Sequence, residues 1–275
     1  MQDVLPTKRR SMLKEAGRSQ ETSIAGMAIQ RLRFGDGGRP LLYLHPKDGP
    51  GDDAPFLAAL GDAGFDVHAP WLPGFGRSER PDDVTSVRDL ACFAAAYLDD
   101  IDAQAAVVVG ASFGGWVAAD LATRDVSRIG GLVLIDTLGF KFGPPDEREI
   151  ADFHSLKAAE VDARAWVDPG RAPAAHGLAQ ADALARARSD EAFALYGWRP
   201  YMHDPGLSRW MRTAKPPTLV LWGAADRIVA PAYGRKVAGL FPSGRFEAID
   251  GAAHYPTREQ AATTAARVAA FAETL

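Results

Sequence analysis

Apolar positions along this chain fall into two alternating kinds of run. The short, unbroken kind includes Leu41-Leu42-Tyr43-Leu44, Ala105 to Val109 ending in Gly110, Ile129 to Ile135, and Thr218 to Trp222. These runs carry no polar face, the pattern of strands covered on both sides. Phe65-Asp66-Val67-His68-Ala69 and Phe246 to Ile249 read as further strands. Between them the period lengthens to that of a helix, as in Val84, Val87, Leu90, Ala91, Ala94 and Leu98. Gly115 to Thr123 suits a helix, and Thr257 to Leu275 closes the chain as an Ala-rich one, with Thr257 and Gln260 at capping-box spacing. Doubly apolar strands alternating with helices predict an α/β fold, a mostly parallel central sheet with helices on both faces. Ligands bind such sheets outside the carboxyl ends of the strands, so the residues just after each strand are the ones to read for chemistry.

One stretch breaks the alternation. From about Gly139 to Lys215 no convincing strand occurs, and the segment is rich in Ala, Arg, Asp and Trp. It reads as a helical insertion between two core strands, a cap or lid over the strand ends. The expected organisation is an N-terminal arm over residues 1–21, a core formed by 22–138 and 216–275, and a cap over 139–215.

Composition narrows the class without changing this picture. The 275 residues are 47% hydrophobic and 24% charged, ordinary for a globular protein, which argues against disorder, a collagen-like fibre or a coiled coil. With 31 Lys and Arg against 35 Asp and Glu, a net charge of -4 gives no reason to expect nucleic acid or an anionic membrane as partner. The first twenty residues are the exception: Lys8, Arg9, Arg10, Lys14 and Arg18 face only Asp3 and Glu15, a solvated arm or a docking arm. No apolar h-region follows that charge, and no run of about eighteen apolar residues occurs, so a soluble cytoplasmic protein is expected. Cys92 is the single cysteine, within Leu90-Ala91-Cys92-Phe93-Ala94; this excludes an intrachain disulfide and suggests a buried, inert thiol. The six histidines do not cluster at ligand spacing, and no Walker or dinucleotide glycine pattern occurs, so neither a metal nor a soluble cofactor is expected.

The chemistry concentrates at three strand ends. Gly110-Ala111-Ser112-Phe113-Gly114-Gly115 follows an apolar strand and opens a helix, the context a G-x-S-x-G nucleophile elbow requires. Ser112 must sit on a tight turn that lifts its hydroxyl clear of the sheet, and the helix amino end behind it favours developing negative charge. A serine hydroxyl needs a base, and the base needs a carboxylate to hold it. His254, in Asp250-Gly251-Ala252-Ala253-His254, follows a strand and precedes the last helix. His68 lies inside a strand, His154, His176 and His203 lie in the insertion, and His45 ends a strand in a supporting role. Asp226, in the loop after Thr218 to Trp222, is the favoured acid; Asp136, after Ile129 to Ile135, is its competitor.

This order of Ser112, Asp226 and His254 resembles the α/β-hydrolase fold superfamily, in its serine-nucleophile members with a helical cap. Leu72-Pro73-Gly74-Phe75-Gly76-Arg77-Ser78 is similar to the family's loop after the fourth strand, Trp222-Gly223 with Asp226-Arg227-Ile228-Val229 to its acid loop, and His254-Tyr255-Pro256 with Glu259-Gln260 to its histidine segment. The similarity runs from about Thr22 to Leu275. Where the family usually has His-Gly, this chain has His45-Pro46-Lys47-Asp48-Gly49-Pro50-Gly51, and Ala253 replaces the glycine often found before the histidine. Acyl transfer needs two backbone N–H donors on the oxyanion. Phe113 supplies one; Pro46 has no N–H, so Lys47 is the choice for the other, with Asp48 next.

The resemblance implies a hydrolase cleaving a small ester or related acyl compound through an acyl-enzyme. The same residues would serve a C–C bond hydrolase of meta-cleavage products or a cofactor-free haloperoxidase or perhydrolase, and a ligand-binding receptor on the same fold is the non-enzymatic alternative. Phe113, Trp116, Trp198 and Tyr255 are the candidate substrate contacts, with Trp166, Tyr196 and Trp210 further aromatics of the cap region.

Overall fold

Eight strands build one sheet in a computed structural model that describes residues 17–124, 127–144, 146–173 and 178–275. The strands are β1 (Arg18–Ile24), β2 (Met27–Phe34), β3 (Arg39–Leu44), β4 (Phe65–Pro70), β5 (Ala106–Ala111), β6 (Ile129–Ile135), β7 (Thr218–Gly223) and β8 (Gly244–Ile249). Their order across the sheet is β1-β2-β4-β3-β5-β6-β7-β8. From β4 to β8 all neighbours are parallel, while β1 and β2 form an antiparallel hairpin, β2 pairing antiparallel to β4.

The uninterrupted apolar runs are explained by burial on both faces. Leu42, Leu44, Val108, Leu132, Leu134, Val220 and Trp222 point into one apolar layer. Their alternate neighbours Leu41, Tyr43, Val107, Val109, Val133, Ile135, Leu219 and Leu221 point into the other. Helices α1 (Ala54–Asp62) and α9 (Ala261–Ala272) cover the second layer; α2 (Val87–Asp100), α3 (Phe113–Leu121) and α7 (Pro231–Ala238) cover the first. Between β6 and β7 the chain forms α4 (Ala158–Ala165), α5 (Gln180–Gly197) and α6 (Leu207–Met211), with no strand among its described residues.

The structure corrects several expectations. The β1–β2 hairpin went unread because β1 alternates exposed and half-buried residues, and its strand starts at Arg18, inside the expected arm; residues 1–16 lie outside the described residues, as does His176. The C-terminal helix is broken: α8 (Pro256–Glu259) ends at Gln260, whose φ of -131° and ψ of 47° lie outside the helical region and separate it from α9. Thr257 and Gln260 make no capping box, since Thr257 donates to Asp53 and Gln260 to the Gly251 carbonyl. A capping box does form at α2, between Ser86 and Asp89. Cys92 is exposed rather than buried, because the apolar stripe of α2 runs through Leu90, Ala91, Phe93, Ala94, Tyr97 and Leu98 and leaves position 92 facing solvent.

Candidate functional site

Between β5 and α3 the backbone reverses at Ser112, which has φ 51° and ψ -114°. A non-glycine residue at positive φ is strained and must be held by its surroundings. Here the Ser112 N–H donates to Ile135 O at 2.8 Å, and its carbonyl accepts from Leu138 N at 3.1 Å, tying the turn to the end of β6. The flanking glycines are demanded by contact. A Cβ on Gly114 would stand 2.1 Å from the Leu44 carbonyl oxygen, and one on Gly110 would stand 2.4 Å from the Gly114 carbonyl oxygen. The elbow is therefore wedged against β3, at the carboxyl end of the sheet.

Three loops converge on the Ser112 hydroxyl. His254, beyond β8, places Nε2 2.8 Å from Ser112 Oγ. Its Nδ1 lies 2.9 Å from Asp226 Oδ2, in the loop after β7. Asp226 Oδ1 accepts from Ile228 N at 2.7 Å and Val229 N at 3.2 Å, which fixes the carboxylate's plane. All three side chains are nearly inaccessible to water. The histidine loop is stitched to the insertion: His254 N–H donates to Ala165 O at the carboxyl end of α4, while Glu259 accepts from Ala253 N and Val167 N.

Asp136, the competing acid, does not bond the histidine. It directly follows β6 at φ 44° and is fully buried. Its Oδ1 accepts from Gly223 N at 3.0 Å, while Oδ2 has no hydrogen-bond partner. Polar atoms of Asp136, Asp226 and His254 all lie within 4.8 Å of one another. Burial first, and Asp226 beside it second, push the Asp136 carboxyl well above the usual carboxylate range.

The 45–51 loop rests on a buried ionic cluster that sequence reading missed. Arg258 in α8 donates to Asp53 at 3.0 Å and to Asp48 at 3.2 Å; Tyr43 and Thr257 hydroxyls also donate to Asp53. Lys47 Nζ pairs with Asp48 at 3.0 Å and reaches Asp190 in α5 at 3.4 Å. Burial alone would raise the Asp48 carboxyl, yet Lys47 and Arg258 hold it well below the usual range. His45 is locked between Pro46 O and Leu72 N–H, and burial lowers its pKa to about 4. Such a histidine donates from one ring nitrogen and accepts at the other, bracing the loop in the supporting position read from sequence. Phe113 and Lys47 N–H groups donate to no other backbone group among the described residues. Phe113 opens α3, where first-turn N–H groups have no intrahelical partner.

The candidate substrate contacts divide. Phe113 is wholly buried, with Phe75, Trp116, Phe193 and Tyr196 ring centroids between 5.5 and 6.3 Å away. Trp116 packs under Phe113 and against Gly139, and Tyr255 lies between His254 and Trp166. Trp198 is 59% exposed and lines a 560 Å³ cleft with Arg80, Arg188 and Leu195, apart from Ser112. Phe153 and Phe193, not singled out from sequence, roof the site instead: Phe153 stands 6.2 Å from the His254 ring and 5.4 Å from Phe193. No local pattern marks them, since their meeting over His254 depends on how the insertion folds back.

Comparison with known proteins places this geometry. The profile described as "Alpha/beta hydrolase family" matches residues 41–267. The chain is 35% identical over 122 residues to the dihydrolipoyllysine-residue acetyltransferase component of the acetoin cleaving system of Cupriavidus necator, covering 44% of this chain and 32% of that one; it thus spans about a third of that relative. It is 26% identical over 251 residues to BpoC of Mycobacterium tuberculosis, named as a non-heme bromoperoxidase, covering 79% of this chain and 93% of that protein. Among solved structures, a meta-cleavage product hydrolase from Pseudomonas fluorescens has a TM-score of 0.74 at 20% identity over 94% of this chain and 98% of that chain. That last likeness is one of fold.

Proposed function

The chain belongs to the alpha/beta hydrolase family, and from that premise we propose that it is a serine hydrolase that cleaves a small ester or related acyl substrate through an acyl-enzyme. The observation that carries this reading is the pair of short hydrogen bonds from Ser112 Oγ through both nitrogens of His254 to Asp226. His254 Nε2 takes the hydroxyl proton as Ser112 Oγ attacks the carbonyl carbon. The resulting oxyanion is held by the Phe113 and Lys47 N–H groups. His254 then gives its proton to the leaving alcohol, and the acyl-enzyme forms. A water, deprotonated by His254, releases the acid and restores Ser112. Asp226 accepts from Nδ1–H throughout, fixing the tautomer and stabilising the imidazolium.

Residues 139–215 act as the cap over the core of 22–138 and 216–275. Phe153 and Phe193 from that cap, with Phe113 below, give the acyl group an aromatic lining, which favours an uncharged acyl chain. Trp116 and Tyr255 shape this chamber from behind, and Trp198 stays outside it.

Hydrolysis of p-nitrophenyl acetate and butyrate, with labelling by a fluorophosphonate, tests the proposal. The wild-type chain turns over repeatedly and is labelled. Ser112→Ala is unlabelled and loses about 10⁴-fold or more in kcat. Equal rates for the two proteins sink the proposal. A single burst without further turnover favours a receptor, and faster cleavage of a vinylogous diketone than of any ester favours C–C hydrolysis.

A further inference from the structure

The reaction above leaves Asp136 without a task, although the fold takes trouble to place it. Its backbone is held at φ 44°, strained for a residue with a Cβ, by donation from its N–H to Leu221 O at 3.1 Å. Gly223 N–H fixes Oδ1, so the remaining oxygen, Oδ2, is aimed and buried with no donor to accept from. Unpartnered buried polar atoms are rare in folded proteins and call for an explanation. The neighbour is another acid, Asp226.

Hydrogen-bond supply separates the two carboxyls. Asp226 accepts from Ile228 N, Val229 N and His254 Nδ1. Asp136 accepts from Gly223 N alone. Two carboxylates in contact, away from water, repel strongly; a single proton between them turns repulsion into a hydrogen bond. The negative charge settles where the donors are, on Asp226, and the proton stays on the carboxyl that lacks them. The other charged group acting on Asp136 is Glu259 of α8, also an acid, and His254 is the base of the cluster. The Gly223 N–H favours an anion on Asp136, but burial and the neighbouring acids outweigh it.

We propose that Asp136 is a positioning residue, a neutral carboxylic acid whose Oδ2–H donates to the Asp226 carboxylate, so that His254 is held by a carboxyl–carboxylate pair carrying one negative charge rather than by a lone aspartate. The pair gives Asp226 a further hydrogen bond beside those from His254 and the Ile228 and Val229 N–H groups. Burial, with Asp226 beside it, favours the proton on Asp136. When rising pH removes it, the donor is lost and a second negative charge appears beside Asp226. The kinetic part of this inference rests on the serine-hydrolase reading; the protonation state does not.

Two substitutions tolerate the positive φ: Asp136→Asn, which keeps an N–H donor but cannot ionise, and Asp136→Gly, which removes the group. Infrared difference spectra of protein with ¹³C-labelled aspartate, wild type against Asp136→Asn, read the resting state. A protonated-carboxyl C=O stretch present at neutral pH in wild type and absent in Asp136→Asn is the expected result. With the ester substrate, Asp136→Gly lowers kcat about tenfold or more with KM changed less than about twofold. Asp136→Asn recovers most of that loss, and its alkaline decline in kcat is absent. No residue-136-dependent carboxyl band, or equal impairment of the two variants, overturns the inference. Full activity in Ser112→Ala, by contrast, overturns the hydrolase reading and leaves the infrared result standing.

Discussion

Ser112 occupies the N-cap of α3, where a serine hydroxyl ordinarily accepts from a first-turn amide and stabilises the helix by about 1 kcal/mol. It makes no such cap bond, because its hydroxyl is turned to His254. Local stability is thus given up for a reactive geometry, and the G-x-S-x-G spacing is what made this legible from sequence alone. The choice between Asp226 and Asp136 was less legible, since both follow a strand and both are buried. Geometry separates them: Asp226 faces His254 Nδ1, and Asp136 faces Asp226. Asp226→Asn is expected to keep the fold, shown by an unchanged melting temperature, while kcat for p-nitrophenyl butyrate drops about 10⁴-fold. An Asn donor facing Nδ1 would force the wrong tautomer.

At the scale of elements, the site is built from strand ends and the wedge between α3 and β3. Gly114→Ala puts a Cβ onto the Leu44 and His45 carbonyls, neither of which can move without breaking the sheet. It is expected to lower stability by roughly 2–3 kcal/mol in urea unfolding and to abolish fluorophosphonate labelling. The roof element α5 is a different case. Phe193→Ala leaves a cavity between Phe113 and Phe153, costing about 3–5 kcal/mol of stability. KM for short acyl esters should rise more than kcat falls, because the roof binds and does not react. The ionic cluster under the 45–51 loop gives a third outcome. Arg258→Met strips Asp48 and Asp53 of their shared cation in a buried setting, with an expected loss of about 3–5 kcal/mol in the same unfolding assay.

Across the whole molecule, buried histidines set the acid limit of the fold. Burial lowers His45 to about 4 from an ordinary 6.5, and burial lowers His68 as well. The unfolded chain therefore takes up protons that the folded chain refuses between about pH 6.5 and 4. Stability is level above that window and declines as pH falls through it, His45 contributing on the order of 3 kcal/mol. Urea titrations from neutral pH down to about 4.5 check this, and His45→Gln, though less stable at neutral pH, should show a flatter decline. Asp48, held low by Lys47 and Arg258, adds a second loss only at more acid pH.

The sequence by itself determined the layered sheet, the strand–turn–helix at Ser112 and the order of the three strand-end residues. Those properties are local: an apolar run covered on both faces and a glycine-flanked serine are written in consecutive positions. It did not disclose the β1–β2 hairpin, whose alternation is weak at a sheet edge, or the break at Gln260, where Thr257 bonds Asp53 across 204 positions of chain rather than capping a helix. Only the tertiary structure decided which carboxyl meets His254, which aromatic rings of the insertion reach His254 and Phe113, and that Arg258 braces the 45–51 loop. Each depends on segments far apart in sequence arriving at one place, and contact energies of that kind leave no periodic trace along the chain.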